Sequence, residues 1–330
     1  METPYQYFQK LFDGGLIDMI VHETNLYSTQ TTGKSINTNN TEIKTFNGIL
    51  VRMGVMQVPA YRDYWSNGCR ISSVADHMTM RRFDQLRRCI HFCNNDTLDN
   101  ADRFAKVRPL LEHIRTNLQT IEQEGEYSID ETMIPYKGAK AGNLRQYVKN
   151  KPKKWGFKFF SLAGVSGIIY DFISYCGATT FGDTVLDAEE TKLGKSAQFV
   201  TVLCKSIHTK PNSRVYFDNF FSSIELITYL KSLSIQSVGT IRRDRLRNCF
   251  LMSDKDLTKQ GRGAYDYRAD NNIGIGMIKW NDNKPVTLVT SCAFMQLVGS
   301  VSRYDKQEKK RVPVEAPNII KANNKHMGWC

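Results

Sequence analysis

Apolar residues recur at helical spacing through the first third of the chain. Leu11, Phe12, Leu16, Ile17, Ile20 and Val21 form one stripe, interrupted at Gly14 and Gly15. Met80, Phe83, Leu86 and Ile90 form a second. Val107, Leu110, Leu111, Ile114, Leu118 and Ile121 form the clearest, with Pro109 near its start, where a helix tolerates proline best. Between the first two stripes, "YSTQTTGKSINTNNTEIK" is polar and turn-rich and predicts a mobile loop. "FNGILVRMGVMQVPAYRDYWS" follows, apolar and aromatic.

Near Gly125 the pattern changes to short strand-like runs punctuated by glycine. "EYSIDETMIPYKG" predicts a strand up to Met133, and "KWGFKFFSLAG" and "GIIYDFISYCG" predict two more. Val200, Leu203, Cys204 and Ile207 then mark a helix, and "SRVYFD" a fourth strand. "NFFSSIELITYLKSL" reads as a helix opened by a Ser222/Glu225 capping box, and "QSVGTIR" as a fifth strand. The order is β-β-β-α-β-α-β. After Arg242 a charged, turn-rich stretch leads into "IGIGMIKW", "KPVTLVTSCAF" and "MQLVGSVSRY", which predict a β-rich insertion.

Composition narrows the class. The chain has 330 residues, 41% hydrophobic and 11% aromatic, enough for a packed core. Its net charge of +12 makes polyanions, and nucleic acid first, the natural partners. No run is long and apolar enough to span a membrane, and the N-terminus lacks a signal peptide's basic start and apolar run. The eight cysteines are scattered without a CxxC motif; Cys89 and Cys93 fall on what reads as one helix, as paired buried thiols or a metal half-site. Arg81, Arg82, Arg87 and Arg88 cluster on that helix, and a solvated face and a phosphate-binding face fit them equally.

Two aspartates stand out by position. Asp130 lies within the first strand of this array and Asp218 ends the fourth. A carboxylate among apolar strand residues is costly unless paired or metal-bound. Asp218 also suits an Asx-turn or helix cap. Alternation puts Asp130 and Glu131 on opposite faces, which argues against joint action. Acids on strands one and four match the layout of RNase H-like phosphoryl-transfer enzymes, where oxygen ligands hold hard Mg2+. Arg145, Lys149, Lys151, Lys153, Lys154 and Lys158 lie between strands one and two, interleaved with Tyr147 and Trp155. Aromatics can stack on bases while lysines hold phosphates, though an ordinary exposed hairpin would look similar.

"SIDETMIPYKG", "LRQYVKNKPKKWGFK", "VYFDNFFSSIELITYLKSLSIQSVGTIR" and "PNIIKANNKHMG" resemble piggyBac transposases and the domesticated proteins derived from them. "FNGILVRMGVMQVPAYRDYWS" and "RRFDQLRRCIHFCNND" resemble that family's N-terminal region, so the likeness covers nearly the whole chain in order. The resemblance implies an α/β fold: an RNase H-like mixed sheet preceded by a helical domain and interrupted by a β-rich insertion. The expected divisions are 1–124, a helical region for dimerisation or DNA binding; 125–244, the catalytic core; 245–312, the insertion; and 313–330, a return segment.

The resemblance also implies cut-and-paste DNA chemistry by three aspartates. Asp130 and Asp218 match the first two as Mg2+ ligands, and the lysine-rich segment is placed near the active site. The third would follow "NKHMG", where this sequence reads "WC"; Asp305 and Glu315 are weaker substitutes, better suited to solvated positions. The expectation is therefore a DNA-binding, nuclear, transposase-derived protein inactive in transposition. Weak or absent Mg2+ binding, no zinc module, and double-stranded DNA as partner go with it, and a homodimer stays open. The alternative is an active Mg2+-dependent transposase of which this is an incomplete piece. Without the helix expected after the third aspartate, one sheet face should expose apolar surface.

Overall fold

The computed structural model describes residues 3–99, 101–138, 141–149, 151–182, 184–209, 211, 213–292, 298–305 and 309–327, without the side chains of Asn143 and Asp305. Gly328, Trp329 and Cys330, on which the third-aspartate expectation turns, lie outside the described residues, as does the side chain of the candidate Asp305. The chain forms two compact units, Met1–Thr120 and Ile121–Cys330.

The first unit is helical: α1 (Pro4–Leu11), α2 (Gly14–Thr32), α3 (Asn40–Val55), α4 (Ser72–Ala75), α5 (Met80–Cys89) and α6 (Arg108–Gln119). Its core gathers Leu16, Ile17 and Ile20 of α2 with Ile43, Phe46 and Ile49 of α3 and Phe83 and Leu86 of α5. Pro109 sits in the first turn of α6 as expected. The polar run after Leu26 is not the predicted loop. Most of it is helix, within which Thr29 Oγ1 donates to the Asn25 carbonyl and Thr32 Oγ1 to that of Ser28, at 2.9 and 2.8 Å. Gly33, at φ +74°, then ends α2, and Asn39 caps α3 by accepting from Glu42 N–H at 3.0 Å. α5 stops at Cys89, so Cys93 is not on the same helix. Burial raises the pKa of both thiols.

The second unit is built on a nine-stranded sheet. Its elements are β1 (Glu126–Pro135), β2 (Arg145–Tyr147), β3 (Trp155–Gly164), β4 (Ile169–Ser174), α7 (Ala188–Lys192), α8 (Lys195–Cys204), β5 (Arg214–Phe217), α9 (Ile224–Ser232) and β6 (Gln236–Thr240). There follow α10 (Asp254–Lys259), β7 (Tyr265–Asp270), β8 (Ile275–Asn281), β9 (Pro285–Thr290), β10 (Val298–Asp305), β11 (Lys310–Pro317) and α11 (Asn318–His326). β4, β3 and β1 run as an antiparallel meander, and β5 and β6 join β1 in parallel. That is the RNase H-like mixed α/β sheet expected from the strand order, with β2 a short addition at the edge.

α8 and α9 cover one face, packing Phe199, Leu203, Leu226 and Leu230 against Ile129, Phe160, Val215 and Phe217. The cap read at Ser222 falls one residue later, and it is a simple N-cap and not a capping box. Ser223 caps α9 by accepting from Leu226 N–H at 3.1 Å, while Ser222 Oγ is turned back to donate to the Asp218 carbonyl at 2.9 Å. The chain is still turning at Ser222, so its side chain closes that turn.

The segment expected as an insertion contributes directly to this sheet. β9 pairs antiparallel with β6, and β8 and β7 continue outward, giving the order β2-β3-β1-β5-β6-β9-β8-β7. β10 and β11 form a separate ribbon. Among the described residues the face expected to lie open is covered: Ile319 and Ile320 of α11, with Val314 and Ala316 of β11, pack on Tyr216, Val238, Ile278 and Trp280. Trp280 Nε1 donates to the Glu315 carbonyl at 2.8 Å, and Asp282 accepts from Arg303 Nε at 2.9 Å, fastening the ribbon to the sheet.

Candidate active site

Parallel pairing of β1 with β5 sets the geometry. Ile129 lies opposite Phe217, so Asp130 and Asp218 are the next residues on two adjacent strands. β1 continues as an antiparallel partner of β3, with Asp130 opposite Ser161. β5 instead turns at Asp218, whose Oδ1 accepts from Phe220 N–H at 2.8 Å. That bond is an Asx-turn, the local role the sequence suggested for Asp218. Two carboxylates are thus held side by side at the end of one strand and in the body of its neighbour.

Their electrostatics follow from this crowding. Burial pushes the Asp218 carboxyl above its ordinary pKa; the Phe220 N–H works against that, Asp130 and Glu131 add to it, and Lys151 works against it. Lys151 Nζ lies 2.6 Å from Asp130 Oδ2, both groups being mostly shielded from solvent. Lys151 comes from the hairpin between β2 and β3, where Val148 N–H donates to the Lys154 carbonyl at 2.8 Å. Its sequence position suggested a phosphate contact; its ammonium instead faces the carboxylate pair. Nothing in the local pattern could signal this, because only the fold-back of the hairpin brings Lys151 to Asp130.

Lys158 is also engaged. Its Nζ lies 3.1 Å from Glu131 Oε1, and 4.7 and 4.8 Å from the ring centroids of Phe160 and Phe220. Those contacts keep it largely from solvent. Arg145 is half-buried, its guanidinium 4.7 Å above the Trp155 ring. The exposed cations of the stretch are Lys149, Lys153 and Lys154. Beside them, Tyr147 is 51% and Trp155 49% exposed, their ring centroids 5.0 Å apart. Of the α5 arginines, Arg82 pairs with Glu42 at 2.6 Å, and Arg81, Arg87 and Arg88 are exposed, Arg87 lying 4.4 Å over Tyr61. The substitute Glu315 is exposed on the ribbon, on a strand that does not adjoin β1 or β5.

The oxygen donors of Asp130 and Asp218 suit a hard divalent cation, which binds through one or two carboxylates and keeps several waters. Among the described residues, no group of three or more His, Cys, Asp or Glu is arranged to hold a metal ion. No helix among them is long and apolar enough to cross a membrane.

The family model described as Transposase IS4 matches residues 3–329. The human protein named PiggyBac transposable element-derived protein 3 is 33% identical over 334 residues, covering 99% of this chain and 54% of that protein. The human PiggyBac transposable element-derived protein 2 is 29% identical over 333 residues, with the same coverage of 99% and 54%. The chain therefore spans about half the length of these curated relatives. A cryo-EM structure of a piggyBac transposase synaptic complex with hairpin DNA superposes with a TM-score of 0.78 at 21% identity, covering 100% of this chain and 66% of that one.

Proposed function

This chain belongs to the piggyBac-type transposase family, and on that premise we propose that residues 1–330 form a transposase-derived module that binds double-stranded DNA without itself completing transposition. The observation carrying this reading is the arrangement around β1 and β5. Asp130 and Asp218 sit together, Lys151 spans the first of them, and exposed lysines with two exposed aromatics edge the same hairpin. Lys149, Lys153 and Lys154 would hold phosphates, Tyr147 and Trp155 would offer ring faces to bases, and Arg145 would steady the Trp155 ring. The solved relative's complex with hairpin DNA supports this, as does the net charge of +12. Such a protein would act in the nucleus.

Asp130 and Asp218 would hold one Mg2+, which would polarise a phosphodiester oxygen. The residues of the chain position that phosphate and set the charge around it. A two-metal clamp, with cations about 3.5–4 Å apart, takes more oxygen ligands than one pair of aspartates supplies. The second reading, an active Mg2+-dependent cut-and-paste enzyme, is favoured by the intact geometry of that pair.

Purified 1–330 should bind duplex DNA with strong salt dependence. Converting Lys149, Lys153 and Lys154 together to alanine should reduce the slope of log K against log salt by about 0.9 for each phosphate no longer neutralised. An unchanged slope would remove the hairpin from the interface. With Mg2+ the protein should neither nick nor join transposon-end DNA. Strand transfer abolished by Asp218→Ala would overturn the inactive reading in favour of the second.

A further inference from the structure

Beside the lysine hairpin, on the Glu131 face of β1, lies a pocket of about 370 Å³ that the reading above leaves unused. Phe160 and Phe199 line it, their rings stacked 3.8 Å apart, and Phe181 leans on Phe199 at 4.8 Å. Phe220 and Tyr175 add further ring surface, so its walls are mostly aromatic. Its rim is polar: Gln146 and Tyr147 from the hairpin side, and Lys195 and Ser196 from the start of α8. A volume of this size with aromatic walls and a few polar groups is that of a small planar ligand.

We propose that this pocket takes one unstacked nucleobase from the DNA strand held by the hairpin, an assignment that rests on the DNA-binding reading. Continuity supports the choice of occupant. Tyr147 belongs both to the exposed Tyr147–Trp155 shelf and to the pocket, so a strand stacked on the shelf passes the opening. The turn after β5 joins the pocket to the carboxylates: Asp218 accepts the Phe220 N–H while the Phe220 ring forms a wall. A base seated there would lie on the other face of β1 from Asp130, tied to Asp218 only through that turn.

Charge supports it as well. Lys158 lines the pocket with its ammonium pinned by Glu131 and by the Phe160 and Phe220 rings. An ammonium has three hydrogens and accepts nothing, so those not spent on Glu131 can donate only to an acceptor. Every base offers such an acceptor, thymine O4 and adenine N7 among them. Lys158 can thus donate to a base seated in the pocket.

The test compares the affinity of 1–330, at one fixed salt concentration, for three duplexes: fully paired, with one bulged thymine, and with one bulged abasic residue. The abasic bulge supplies the same backbone flexibility without the base. Thymine should bind about tenfold tighter than the abasic bulge, or ~1.4 kcal/mol. Ala178→Trp places a large ring in the pocket from an exposed turn. It should bring the thymine-to-abasic ratio to one and leave affinity for the paired duplex unchanged. Equal affinity of the unaltered protein for both bulges, with salt-dependent duplex binding intact, would overturn the pocket and spare the DNA reading. A preference that survives Ala178→Trp would also overturn the pocket. Failure to bind any of the three duplexes would overturn the DNA reading, and this inference with it.

Discussion

A divalent cation bound at Asp130, as proposed, would compete with Lys151 for the same carboxylate. The ammonium lies 2.6 Å from Asp130 Oδ2 in a partly shielded setting, where Coulombic interactions are screened less than in water. Lys151→Met should therefore strengthen Mn2+ binding, about tenfold, as read by electron paramagnetic resonance titration. Unchanged affinity would mean that the lysine does not occupy the cation's place. In the helical unit, Asp13 gives a separate test at the same scale. Burial works to raise its pKa, but hydrogen bonds from Leu16 N–H, His113 and Asn117 outweigh it and hold the carboxyl at about 2. The folded value is below the unfolded 3.8, so this contribution is fully present above 3.8 and is lost as pH falls through about 2. Asp13→Ala should cost about 1 kcal/mol at neutral pH, as a lost N-cap, and flatten stability across that acid window in urea titrations. Asp130 and Asp218 were legible in the sequence as strand-borne acids. The partners of Asp130 and Glu131 were not, because Lys151 and Lys158 look like ordinary hairpin lysines until the chain folds back.

Each element owes its limits to a small number of side chains. α2 persists through a polar stretch that composition alone reads as a loop, and the face buried by Leu16, Ile17 and Ile20 continues through Thr24 and Ser28. The turn carrying Asp218 is held by its neighbour strand: Gly239 on β6 faces Phe217, and a Cβ there would collide with Ser222 Oγ and press the Phe217 ring. Gly239→Ala should therefore destabilise the protein by about 1–3 kcal/mol, as overpacking does, measured as a lower urea midpoint with an unchanged m-value. A neutral result would show that Ser222 can give way without cost. Helices were legible wherever apolar periodicity was clear, as in α6. Helix ends such as Ser223 were missed by one residue, because Ser222 and Ser223 have the same intrinsic capping chemistry and only the path out of β5 separates them.

At the scale of the molecule, the RNase H-like sheet does not end with its fifth expected strand. β6 is paired on its outer side by β9, and Tyr216 and Val238 are covered by α11 and β11. A fragment of residues 121–245 should thus expose a bare strand edge and an apolar face, and aggregate or unfold without cooperativity. A fragment of 121–327 should show a single cooperative transition by circular dichroism. Cooperative folding of the shorter piece would contradict this. Proteolysis of 1–330 should cut first near Thr120, where the two compact units meet in sequence. The sequence by itself determined the helical start, the strand order of the mixed sheet, the two aspartates and the family resemblance. Those properties reside in local periodicity, in residue type and in short contiguous motifs. Tertiary structure alone decided that β7 to β9 extend the core sheet, that α11 packs on its second face, that Lys151 reaches Asp130, and that six aromatic residues line a pocket. Each of these joins residues far apart in the chain, and local sequence chemistry does not specify which distant edge, face or charge a segment will meet.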